Sequence, residues 1–325
     1  MENKDSILFE KVIDALIDTE KVFPPKYLHR FSDIPPADLA ALRKVWHLIP
    51  DSRKITWLED LEGISDADTL TSFVDVGLLA LKDPLSPVRE LGIRLLWESE
   101  DHSLIKVLLN LLNTDPDLQV QASAASALGR FIYLGELDEF PEKDQLEIEK
   151  TLKSKFDISN PILLRRRAIE SLGYSSSPEI EDLIRKAYKE DDKKMVASAI
   201  FAMGRSANES WKDIVISNLQ NNSVDIQVEA VRAAGELELE IARDEILELF
   251  DDEGLDQDVF LAAIWSISQI GGAGVQEKLD QLADDPDTDD ETVELIDSAI
   301  ENLVFNNSLV DFDLLDIEPE TDEED

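Results

Sequence analysis

The sequence predicts an all-α protein, a solenoid of about seven stacked helix pairs behind an N-terminal helical cap. Three observations carry that reading. Apolar residues recur at helical spacing almost throughout. A small residue returns four positions after an apolar anchor in segment after segment. The anchors themselves are mostly 31 to 36 residues apart, the period of an array of two-helix units.

The cap is expected over residues 1–69. Ser6 to Glu20 has helical spacing through Ile7, Leu8, Val12 and Leu16. Pro24-Pro25 breaks it. Pro35-Pro36 opens a second helix through Leu48 with Leu39, Leu42 and Trp46 on one face, and Pro50-Asp51 opens a third through Leu61 with Ile55, Trp57 and Leu58. The last two resemble a degenerate helix hairpin, and their large aromatics suit an end that must be finished toward solvent.

Regular repeats are expected over residues 70–305. The anchors are Val88, Val120, Leu164, Met195, Ile226, Val259 and Leu295. Four residues on stand Gly92, Ala124, Ala168, Ala199, Ala230, Ala263 and Ala299. Further apolar residues follow at offsets five and eight, so each second helix carries one continuous stripe. The small residue lets a neighbouring helix cross closely. Ahead of each stripe lies another apolar pattern, such as Leu104, Ile105, Leu108, Leu111 and Leu112. One interval, Val120 to Leu164, is 44 residues, and the excess falls in Tyr133–Gln145.

The units DPDLQVQASAASALGRF (from Asp115), NPILLRRRAIESLGY (from Asn160) and SVDIQVEAVRAAGEL (from Ser223) resemble HEAT repeats, in particular the short bacterial type named after phycobilin lyases. The resemblance implies a right-handed α-α solenoid whose second helices line the concave surface. It implies an interaction scaffold first and, as the alternative, a phycobilin-lyase-like accessory factor that assists modification of a partner protein. The pattern usually has an arginine after the anchor. Arg89 and Arg165 keep it, while Gln121, Val196, Gln227, Phe260 and Ile296 depart from it, so ladders between repeats should be incomplete.

Composition narrows the function classes. The chain has 325 residues, no cysteine and a net charge of −41. Without cysteine there is no disulfide framework, thiolate metal site or cysteine nucleophile, and a reducing cytoplasm suits the chain. Residues 236–325 hold 31 acidic and 2 basic side chains. That polyanion makes nucleic acid a poor partner, which also counts against a DNA glycosylase built on such repeats. No apolar run is long enough for a membrane span. A cytoplasmic monomer is expected.

Catalytic signatures do not emerge. His29, His47 and His102 form no His-Glu dipeptide, on which the resemblance would make a di-iron hydroxylase depend. IGGAGV (Ile270–Val275) fits no phosphate loop and reads as a turn between helices. DDPDTDDE (Asp284–Glu291) lacks Ca²⁺-loop spacing and reads as a helix-entry turn. No catalytic residue, cofactor or metal is expected.

One constellation rises above this background. Offsets six and ten place Arg94, Arg130, Tyr174, Phe201, Arg205, Arg232 and Trp265 on the flank of the second helices, with Gln269, Glu98, Glu170 and Glu236 among them. Offsets three and seven beside them are mostly small, as at Ser171, Ala202, Ala233 and Ser266, and are expected to leave a trough in which arginines and aromatics stand up, a composition typical of binding hot spots. The plainer alternative is that each arginine pairs with an acid on the adjacent repeat. The expected partner is another protein or a peptide segment, a basic one among the candidates. Residues 306–325 read as an acidic disordered tail, with an apolar island at Phe312, Leu314, Leu315 and Ile317 as a candidate recognition segment.

Overall fold

The structure, a computed structural model, describes residues 8–313, with side chains through residue 305. Among the described residues there is no strand. The helices are α1 (Phe9–Ile17), α2 (Pro36–Val45), α3 (Asp51–Ala67), α4 (Val74–Ala80), α5 (Ser86–Arg94), α6 (Ser103–Thr114), α7 (Leu118–Glu136), α8 (Glu142–Lys155) and α9 (Ile162–Leu172) in a first compact unit. A second unit begins at Gly173 and holds α10 (Pro178–Tyr188), α11 (Lys193–Arg205), α12 (Lys212–Ile216), α13 (Val224–Glu236), α14 (Arg243–Leu249), α15 (Gln257–Ile270), α16 (Val275–Ala283) and α17 (Asp290–Asp313). Each even-numbered helix from α4 packs on the odd-numbered one after it, and within each unit successive second helices pack on one another. This is the helix-pair architecture the repeats predict.

The anchors behave as the stripe requires. Val88, Val120, Leu164, Met195, Ile226 and Val259 are buried, as are the residues four, five and eight positions later in each of these helices. Leu295 differs. It is half-buried, and Ile296 takes the buried place beside it. No later helix pair among the described residues covers α17, so its anchor has a free side. The expected repeat boundary at Phe305 falls inside α17, which continues to Asp313.

Local signals explain where the second helices begin. Asp117, Asp192 and Asp256, each three residues before an anchor, are N-caps whose carboxylates accept first-turn amides such as Val120 N, Met195 N and Asp258 N. Asp289 does the same for Thr292 N at 2.8 Å, so the acidic stretch before α17 is a helix-entry turn. Between α15 and α16, Gly271, Gly272 and Gly274 take positive φ. Arg243 fills the space a side chain would need at Gly272 and donates to the Gly271 carbonyl at 2.6 Å.

The glycines at offset nine reveal how the pairs stack. A Cβ added to Gly173 would lie 2.7 Å from Ala202 Cα, one on Gly204 3.0 Å from Ala233 Cα, and one on Gly235 2.8 Å from Ser266 Cα. Gly129 meets Ser171 in the same way in the first unit. Offset nine of one second helix therefore sits against offset seven of the next. Ser171 and Ser266 also reach back, donating to the carbonyls of Ala125 at 2.9 Å and Val231 at 2.6 Å. These small residues are buried in helix crossings. Their size is used first in the crossings; Ala233, with Ala262 at offset three, also borders an open space.

The cap belongs to the first unit and shares its core: Phe9, Phe31, Trp46 and Trp57 pack in one cluster with Val76, Val88 and Leu91. In α1, Phe9 is buried and Leu8 exposed, the reverse of the expected face at that end. A buried polar ladder joins cap to repeats. Lys54 Nζ and Trp46 Nε1 both donate to Asp83 Oδ2, at 2.6 and 2.7 Å. Arg89 holds Asp115 with two hydrogen bonds, 2.8 and 2.7 Å, and caps the Asp83 and Pro84 carbonyls. Lys54 thus does for the cap what Arg89 does for the next pair. Where arginine is missing, Gln121 donates to the Asp115 carbonyl at 2.7 Å and Gln227 to the Leu219 carbonyl at 2.9 Å, while Val196, Phe260 and Ile296 have no side-chain donor to offer.

In the long interval, α7 runs to Glu136 and α8 starts at Glu142, leaving a turn at Asp138 with φ 60°. Phe140 anchors it, stacking on His102 and meeting Phe131 edge-on.

Two outcomes follow. Gly173→Ala should destabilise the fold by about 1–3 kcal/mol, because its Cβ would meet backbone, whereas Gly63→Ala, with open space around it in mid-helix, should add about 0.5–1 kcal/mol; urea unfolding of both variants checks the contrast. Burial by itself would raise the Asp83 carboxyl, but Lys54, the Leu85 amide and Trp46 together hold it below its ordinary value. The folded pKa therefore lies under the unfolded one, and folding favours the anion. That contribution is fully present above about pH 4 and is lost as pH falls through the folded pKa. Asp83→Asn should cost about 3–5 kcal/mol at neutral pH by stranding buried Lys54 and should flatten the acid limb of a stability-versus-pH curve.

Candidate functional site

The flank residues divide between the two units. In the first, Arg94 forms a two-bond pair with Glu62 of α3, its Nη2 lying 2.5 Å from Oε2. Arg130 pairs with Glu100 at 2.7 Å and lies 3.8 Å from Glu98. Both arginines are held by acids of a preceding second helix or the turn after it, the plainer of the two alternatives. Glu170 is likewise taken up by Arg166 and Arg167 of its own helix.

The second unit brings the others together. Phe201 and Arg205 on α11, Arg232 and Glu236 on α13, Leu261 and Trp265 on α15 and Leu295 on α17 surround a cavity of about 360 Å³, with Gly204, Ala233 and Ala262 at its base. The close crossings put these side chains there. Because Gly204 lies against Ala233 and Gly235 against Ser266, the offset-six residues of three helices and the offset-ten residues of α11 and α13 face a common space, while Gln269 of α15 stays outside it. The size is near the lower end of the roughly 300–1,000 Å³ of ligand pockets, which suits one or two side chains.

Arg205 is oriented on three sides. Its guanidinium carbon is 5.1 Å from the Phe201 ring centre and 5.6 Å from that of Tyr174, and its Nη1 is 3.0 Å from Glu236 Oε1. Tyr174 therefore joins the site through Arg205. Trp265 lines the cavity and is 37% exposed. Burial pushes the Glu236 carboxyl above its ordinary value, and the pull of Arg205 and Arg232 offsets that only in part. Glu236 is the desolvated charge of the site.

Sequence reasoning missed Glu229, Leu261 and Leu295. Leu295 was assigned to the core as an anchor, and only the lack of a following pair exposes it. Glu229 departs from the mostly small residues of offset three, and Leu261 is at offset two, where the repeat carries no consistent residue type. In the candidate tail segment, Phe312 falls in the last turn of α17, and Leu314, Leu315 and Ile317 lie outside the described residues.

Among the described residues, no group of three or more His, Asp or Glu is placed to hold a metal ion, and no helix is long and apolar enough to cross a membrane. No family model matches the chain, and no curated protein matches it in sequence. Among solved structures it is similar to Escherichia coli YibA at 14% identity, over 88% of this chain and 99% of that one, with a TM-score of 0.44. It is similar to human deoxyhypusine hydroxylase, solved in complex with glycerol, at 16% identity over 91% and 96% of the two chains, with a TM-score of 0.36. An engineered protein matches at 20% identity over 91% and 88%, with a TM-score of 0.38.

The electrostatics give a direct test. A carbon-detected NMR titration of Glu236 should show a midpoint above the ordinary glutamate value, and Arg205→Gln should move it higher by removing a cationic neighbour. A midpoint at or below the ordinary value would contradict the desolvation described.

Proposed function

We infer that the chain is a non-catalytic binding module and that its second unit seats a segment of another protein in the cavity between α11, α13, α15 and α17. The carrying observation is the wall itself: Phe201 and Trp265 beside an arginine already oriented by two rings and a carboxylate. Rigid aromatic surface and preorganised arginine are what binding hot spots are made of, since little side-chain entropy remains to be lost on contact. The titratable lining residues are two arginines and two glutamates. A nucleophile beside a base, on which covalent catalysis rests, is not part of this wall. The helix-pair fold supports the reading as a rigid carrier of side chains rather than as a mark of one activity.

A photo-crosslinking side chain at Leu261, on the cavity wall, should give discrete protein adducts in extracts of the producing cells, and one at exposed Asp285 should not. Trp265→Ala should reduce the adduct by an order of magnitude or more, as loss of about 2 kcal/mol at a hot spot implies. Equal labelling from both positions, or steady turnover by the purified protein that Glu236→Gln abolishes, would refute the module.

A further inference from the structure

Wall and rim of the cavity each specify one feature of an occupant. Leu261, Leu295, Phe201 and Trp265 form an apolar wall sized for one large apolar side chain. The rim carries two arginines and two glutamates, Glu229 and Glu236, and its cations are incompletely matched. Arg205 has Glu236, whereas the Arg232 guanidinium makes no hydrogen bond or ion pair among the described residues, feeling Glu236 only through space. The Trp265 indole N–H likewise has no acceptor among the described residues. An occupant that satisfies these donors supplies acceptors, and beside an arginine the strongest acceptor is a carboxylate.

We propose that the cavity takes a peptide segment in which a large apolar side chain is flanked by carboxylates, and that Glu236 is the internal carboxylate such a segment displaces from Arg205. This rests on the protein-binding reading and narrows it. The Arg205–Glu236 pair is a holding arrangement: a half-buried pair roughly offsets its own desolvation, so exchanging one carboxylate for another costs little, while the incoming segment adds its apolar contact and engages Arg232. The acidic surface of residues 236–325 attracts basic chains from a distance, yet Arg232, without an ion-pair partner among the described residues, disfavours a lysine placed beside it. Beyond a Debye length of about 8 Å the repulsion of an acidic segment is screened at physiological salt.

Residues 310–317 of the chain, VDFDLLDI, have this chemistry. The octapeptide is a suitable probe when added in trans.

The test is an NMR titration of the isotope-labelled full-length chain with the blocked synthetic octapeptide. Two further peptides carry asparagine or lysine at all three aspartate positions. The acidic peptide should shift the Trp265 indole signal and the Arg205 and Arg232 amides, and the asparagine peptide should bind at least tenfold more weakly. Glu236→Gln should tighten the acidic peptide several-fold, a gain that misfolding cannot mimic, and Arg232→Gln should weaken it several-fold. If the asparagine or lysine peptide occupies the cavity as tightly as the acidic one, or if Glu236→Gln weakens binding, the carboxylate rule is wrong and the protein-binding reading stands. If no peptide shifts the cavity signals, the proposal is also overturned, and the cross-linking at Leu261 decides the broader reading by itself.

Discussion

The contact on which the rest of the structure depends is the approach of one second helix to the next, glycine against a small residue. With Gly204 on Ala233 and Gly235 on Ser266, helix axes come nearer than leucine or isoleucine at those places would allow. Everything on the flank then follows. Side chains at offsets six and ten have nowhere to go within the crossing, so they project to one side, and helices packed this closely bring their projections within reach of each other. Arg205 meets Glu236 from the next helix for that reason, and Trp265 closes the same space from the one after. The cavity is a consequence of tight backbone packing, with no dedicated loop or insertion building it.

The first unit solves a different problem with the same parts. Its N-terminal end must turn a repeat surface into a finished one, and it does so with large aromatics and a buried charge ladder running from Lys54 through Asp83 to Arg89 and Asp115. Buried pairs are poor sources of net stability and good sources of register. A slip of one residue in α3 or α5 would leave a charge without its partner in an apolar core. The glutamines that replace arginine farther along keep contact with backbone carbonyls, holding the turn while carrying no buried charge.

Much of this was legible in the sequence because a helix stripe is a one-dimensional signal. Val120, Ala124, Ala125 and Leu128 announce their burial by spacing alone, and so do their counterparts in the later repeats. Position across repeats was less legible. The small residues at Ala202 and Ser266 read as gaps in a surface, when they are the receiving side of a crossing whose other half, a glycine, lies a full repeat upstream. Glu62, the partner of Arg94, sits in a helix the anchor alignment did not include. Lys54 hid for the same reason. The five flank residues that line the cavity were found by their type and offset, but Leu295 was not, because an anchor is core only when another pair covers it.

Charge distribution gives the cavity its distinct character. Residues 236–325 have only two basic side chains, and both are used internally: Arg243 on the Gly271 carbonyl and Lys278 on Asp251 at 2.6 Å. The surface they leave is of one sign, a condition that favours solubility and penalises close approach of like molecules. Against that background Arg205 and Arg232 are two cations grouped beside aromatic side chains. Glu236 answers them from within, at the cost of its own hydration. A site that neutralises its own cations with a desolvated carboxylate stays soluble and selective when empty, and it presents an arginine already in position to any acid that can take the place of Glu236.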